Sequence, residues 1–135
     1  MKAEQIVNLI NAINDMADVA IPNLDAALDI VDNHSKLSEL HKKNVDALKK
    51  MVVFTKEETE YKQGQANKEN EINEGLANSI VEKDKKLLEY EKELLEKDFK
   101  IDLKKIDKKH LQDKDGNLLV GIKIKHLAAL KPILK

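Results

Sequence analysis

Asp113, Asp115, Gly116 and Asn117, within QDKDGNLLVGIKIK (residues 112–125), stand close enough together to look like the opening of a calcium loop. A loop of the EF-hand type needs oxygen ligands at its first, third and fifth positions, glycine at the sixth and a bidentate glutamate at the twelfth. Counted from Asp113, the sixth residue is Leu118, the twelfth is Ile124 and the glycine is fourth. The stretch therefore reads as a turn, since glycine accepts positive φ without steric cost and Asp-Gly is a strong reversal signal.

The other reactive residue types are no better arranged. His34 and His41 are seven apart, whereas the HExxH zinc arrangement needs two histidines four apart with a glutamate between. His110 and His126 sit in the tail, within reach of each other only if the chain folds back there. Ser35, Ser38 and Ser79 lie in helical stretches with no strained turn to expose a nucleophile. Gly64, Gly75, Gly116 and Gly121 are scattered, so no phosphate-cradling loop is present. Cysteine is absent, which excludes disulfides, thiolate nucleophiles and thiolate metal sites. The expectation is a protein that is not an enzyme, with no catalytic, metal-binding or cofactor-binding residues.

Composition narrows the remaining classes. The chain has 135 residues, enough for one domain with a real core, and its apolar content is aliphatic, with Phe54, Tyr61, Tyr90 and Phe99 the only aromatic residues. All basic residues are lysines. Without arginine the planar fork that reads guanine edges is missing, and without tryptophan there is little stacking platform, so specific nucleic-acid binding is not expected. No stretch approaches the roughly 20 apolar residues of a membrane span. The asparagines and aspartates in the first 20 residues interrupt any signal-peptide centre, so the expected location is the cell interior.

The elements that must position these residues are mainly helical. Ile6, Leu9, Ile10, Ile13, Met16 and Ala17 mark one face of a helix over about 3–20, ended by Ile21 and Pro22. Asn23 is placed to cap a second helix over about 24–53. Its apolar stripe begins with Leu24, Leu28 and Val31 and shifts phase near His34 and Ser35, which leaves a continuous rod or a kink there. Residues 55–70 are polar and read as a fraying extension and connection. A third helix over about 68–98 carries Ile72, Leu76, Ile80, Leu87 and Leu94 at intervals of four or seven, among dense Glu/Lys pairs. From Phe99 the period changes to two, through Ile101 and Leu103. Leu118, Val120, Ile122 and Ile124 repeat it, which predicts a β-hairpin turned at DKDGN. HLAALKPIL closes the chain as a short amphipathic helix bearing Leu127, Leu130 and Ile133. The expected fold is thus mainly α, an antiparallel helical bundle over 1–98 with a small hairpin and terminal helix over 99–135, forming one domain.

Charge is balanced in total and unequal along the chain. Up to residue 34 there is one lysine against six acids, and from Lys97 onward eleven lysines against five acids. Either the basic tail docks on the acidic first helices, or it faces an anionic partner, with Lys104, Lys105, Lys123 and Lys125 as the candidates.

In the order of these pieces the chain resembles a family of small helical bacteriophage proteins of unknown function, encoded among genes for virion structure and morphogenesis. The resemblance rests on IPNLDAALDIVDN, on EYEKELLEKDFKIDLKKI, and on the closing HLAALKPILK, where Leu127, Leu130, Pro132 and Ile133 stand for the family's apolar block before and after a proline. Lys131 departs from the acidic residue common there. The resemblance implies a phage-encoded, non-enzymatic accessory or structural protein in the host cytoplasm or the virion. The apolar stripes themselves point to action through contacts with phage or host proteins, as a homo-oligomer, using Ile72, Leu76, Ile80, Leu87, Leu94, Leu127, Leu130 and Ile133. The alternative is a small anti-defence protein that sequesters a nucleotide signal or inhibits a host enzyme.

Overall fold

The computed structural model describes residues 1–66 and 71–135. Among the described residues five α-helices follow in order: α1 (Ala3–Asp15), α2 (Leu24–Met51), α3 (Lys56–Ala66), α4 (Glu74–Glu96) and α5 (Ile124–Leu130). Short 3-10 turns occupy Lys108–Leu111 and Lys131–Ile133. Residues 1–42 and 97–135 form one compact unit and residues 43–96 a second.

In the first unit α1 buries Ala3, Ile6, Leu9, Ala12 and Ile13 on one face. Gln5 accepts the Lys2 amide at 2.9 Å and closes the helix start. The helix ends five residues earlier than its apolar pattern predicts, because the Met16, Ala17 and Val19 amides reach back three residues, to Ile13, Asn14 and Met16. Asn23 caps α2 as expected, its Oδ1 accepting the Ala26 amide at 2.9 Å. The helix then runs unbroken past His34 and Ser35. Its buried face carries Ala26, Asn33 and Leu37, spaced by seven and four, while Leu24, Leu28 and Val31 point outward at 73%, 53% and 66% exposure. The phase shift in the sequence is therefore the boundary between an exposed apolar ridge and the core stripe.

The predicted β-hairpin is not formed. Among the described residues there are only isolated bridges, Lys2 with Asp98, Ile106 with Leu134 and Gln112 with Leu118. The alternation itself is real, since Phe99, Ile101 and Leu103 pack on the core and Ile106 is 3% exposed. What differs is where the backbone groups go. Phe99 exchanges two bonds with Met1, the Asp102 carbonyl accepts from the Lys36 ammonium, Lys104 pairs with the Asn33 side chain, and Ile106 bonds Ile133 and Lys135. With its ladder positions taken by helix side chains and chain ends, the segment stays a single extended strap. The DKDGN reversal is present. Asp113 Oδ1 accepts the Asp115 and Asn117 amides at 2.9 and 3.0 Å, and Gly116 takes φ 78°. The last residues of the expected second strand enter α5, which packs against α1.

In the second unit α3 packs on α4. The expected fraying extension is instead a separate helix started by a reciprocal cap: the Thr55 amide donates to Glu58 Oε1 at 2.9 Å and the Glu58 amide to Thr55 Oγ1 at 3.1 Å. Asn73 caps α4, its Oδ1 accepting the Leu76 amide. The expected start of this helix near residue 68 lies outside the described residues.

Candidate interaction surfaces

α4 presents two adjacent apolar stripes, and they face different ways. Ile80 is buried within its unit and Leu76, Leu87 and Leu94 are half-buried, so most of the predicted seam is spent on intrachain packing; Ile72, just before the helix, is 81% exposed. One residue further on, Val81, Leu88 and Leu95 are 51%, 57% and 53% exposed, seven residues apart each time. The seven-residue spacing is that of one of the two apolar positions of a coiled-coil seam, the other register being charged at Asp84, Lys85, Glu91 and Lys92. Glu and Lys alternate beside it.

The predicted terminal patch turns inward and needs correcting. Leu130 is 2% and Ile133 1% exposed, both in the core with α1, and Leu127 packs partly buried against them. A three-residue repeat next to a proline marks a helix end that has something to bury, and here the thing it buries against is the chain's own first helix.

The four predicted anion-binding lysines are not a common set of free cations. Lys104 Nζ lies 2.6 Å from Asp32 Oδ2 and 3.6 Å from Asp29 Oδ1. That hydrogen bond raises the Lys104 pKa and lowers that of Asp32. Lys105 donates to the Pro132 carbonyl. Lys123 and Lys125 are exposed at the start of α5. The basic tail thus docks on acidic α2 through Lys104, one of the two readings the charge asymmetry left open.

The most perturbed ionisable group is one the sequence reading passed over. Glu58, 2% exposed, accepts the Thr55 amide and the Ser79 hydroxyl (2.9 Å) and pairs with Lys83, whose ammonium also donates to the Val53 carbonyl. Lys83 above all, then the Thr55 amide and Ser79, holds the carboxyl at about 2. The T-x-x-E pattern of TKEE was the signal that could have found it. A carboxylate so acidic is a poor base at neutral pH, and the arrangement ties α3 to α4.

The histidines have separate neighbours. His34 Nε2 lies 2.9 Å from Asn14 Oδ1. His126, 4% exposed, accepts the Lys123 amide on Nδ1 at 3.0 Å, which places the proton of a neutral ring on Nε2, 3.6 Å from Asp15. Half-buried His110 borders a small cleft with Asp25, Asp29 and Asp107, and His41 is half-buried on α2. Among the described residues no three His, Cys, Asp or Glu side chains gather in a way that could hold a metal ion, and no helix is long and apolar enough to cross a membrane. Comparison with family models, with curated proteins and with solved structures gives no match.

Proposed function

We propose that this chain is a phage-encoded, non-enzymatic accessory or structural protein that works through protein–protein contacts as a homo-oligomer. The observation that carries the contact reading is the exposed line Val81, Leu88 and Leu95 on α4. Side chains of this size gain roughly 1.5–3 kcal/mol each when fully buried, and a seven-residue repeat offers the same line to a second copy of itself. The mixture of Glu and Lys along α4 suits self-pairing, because each sign finds the other across a two-fold seam. The phage origin rests on the sequence resemblance, and with it a place in the host cytoplasm or the particle. The nucleotide-binding alternative loses its best cluster, since Lys104 and Lys105 already have partners.

Light scattering on the purified chain and on Leu88→Asp tests the contact reading. Leu88 is exposed in the single chain, so the variant is expected to keep its helical content and lose mass to the monomer. A monomeric wild-type chain, or a variant of unchanged oligomeric mass, would refute it.

A further inference from the structure

The exposed line on α4 runs between two columns of opposite charge. An α-helix turns about 100° per residue, so Asp84 and Glu91 lie about 40–60° to one side of Leu88, and Lys85 and Lys92 as far to the other. Val81 and Leu95 fall within about 20° of Leu88, which makes the apolar line the boundary between the columns. Lys85 and Lys92 are exposed, and neither they nor Glu91 make an ion pair among the described residues. Asp84 lies 3.5 Å from Lys62 of α3.

These columns restrict how a second copy can lie on the line. With Leu88 at the centre of the contact, the direction of the second helix decides which columns meet. A two-fold axis parallel to the helices sets the acidic column of one copy against the basic column of the other, so Glu91 faces Lys92 and Asp84 faces Lys85. A two-fold axis across the helices, which makes them antiparallel, sets like against like, so Lys85 of one copy lies beside Lys92 of the other. Charges that flank a helix seam fix the orientation of the pair, and the repulsion in the wrong arrangement does as much of this as the attraction in the right one.

Resting on the reading of α4 as the contact between copies, we infer that two copies pair through α4 in parallel and in register, Val81 against Val81, Leu88 against Leu88 and Leu95 against Leu95. Lys62 does not alter the choice. It sits on the acidic side and leaves the lysine column as it is, so Lys85 and Lys92 repel across an antiparallel seam whether or not Asp84 is neutralised. The apolar line supplies the adhesion, and the columns supply its direction.

The chain has no cysteine, so single cysteines on the line read the direction without background. Val81→Cys, Leu88→Cys and Leu95→Cys each replace an exposed side chain, and circular dichroism checks that helix is kept. In a glutathione redox buffer each of the three full-length variants is expected to form a disulfide-linked dimer with itself. Glu93→Cys, about 140° round the helix from Leu88, is expected not to link. An antiparallel seam would link Leu88→Cys to itself and Val81→Cys only to Leu95→Cys, because residues 81 and 95 are about 21 Å apart along a helix and a disulfide spans Cα atoms up to about 7 Å apart. That pattern overturns the orientation and leaves the α4 contact standing. Failure of all three to link overturns the inference and the α4 contact together, as does linking of Glu93→Cys as fast as Val81→Cys. Lys85→Glu with Lys92→Glu makes both columns acidic and should weaken self-association several-fold at low salt, the difference closing as salt rises. An antiparallel seam, whose columns already face their like, would be left about as tight, so an unchanged affinity also overturns the orientation.

Discussion

The side chain of Asn33 and the backbone of Lys104 form a closed pair of hydrogen bonds: Asn33 Nδ2 donates to the Lys104 carbonyl at 2.9 Å, and the Lys104 amide donates to Asn33 Oδ1 at 2.8 Å. Asn33 has no exposure at all. An asparagine amide carries one acceptor and two donors, so it can stand in for the edge of a neighbouring strand. The strap at 99–106 uses α2 in this way instead of a second strand.

Asn33→Ala should therefore cost more than an ordinary surface change. It leaves the Lys104 amide and carbonyl without their partner beside the core, and each such loss costs about 1–3 kcal/mol. A destabilisation of about 2 kcal/mol or more by urea unfolding is expected, with little change in the slope. A loss below about 0.5 kcal/mol would mean the strap is held by its apolar residues alone.

Much of this was legible in the sequence, and the reasons differ where it was not. The α1 face, the Asn23 cap and the Gly116 reversal are local, set by neighbours within a few residues. The strap was misread because alternation at Phe99, Ile101 and Leu103 records which side chains are buried and says nothing of which groups take the amides. On α4 the pairs Ile80-Val81, Leu87-Leu88 and Leu94-Leu95 are apolar at both positions, so periodicity could not choose which member faces in. The Thr55–Glu58 cap was readable and was masked by the polar composition around it.

Two glycines separate backbone strain from crowding. Gly116 and Gly121 both have positive φ, 78° and 96°, but a Cβ on Gly116 meets nothing within 4 Å, whereas one on Gly121 would lie 2.8 Å from Val19 Cγ2. Gly116→Ala should cost about 1 kcal/mol, the left-handed penalty alone. Gly121→Ala should cost a further 1–3 kcal/mol or so from overpacking. Equal thermal shifts in the two variants would show that the loop before α5 moves away from Val19 freely.

The terminal helix offers a direct contrast with the α4 seam. Leu130→Ala empties a core position and should destabilise the chain by about 2–5 kcal/mol. Val120, 95% exposed, should tolerate alanine with a change within about 0.5 kcal/mol. If Leu130→Ala instead altered oligomeric mass while leaving unfolding unchanged, the terminal block would be an interface after all.

Glu58 sets an acid limit on the second unit. Its folded pKa, about 2, lies below the ordinary 4.5, so the unfolded chain binds the proton more readily. Its stabilising contribution is complete above pH 4.5 and is lost as pH falls from there toward 2. Lys83, Thr55 and Ser79 are the groups that release it. Glu58→Gln removes the charge while keeping an oxygen for the Thr55 amide. The variant should be less stable than wild type at pH 7, and the gap should close progressively between pH 4.5 and 2. Stability followed by circular dichroism across that range, for both proteins, reads the difference directly. A gap that stayed constant down to pH 2 would show that the charge on Glu58 adds nothing to its bonds with Lys83, Thr55 and Ser79.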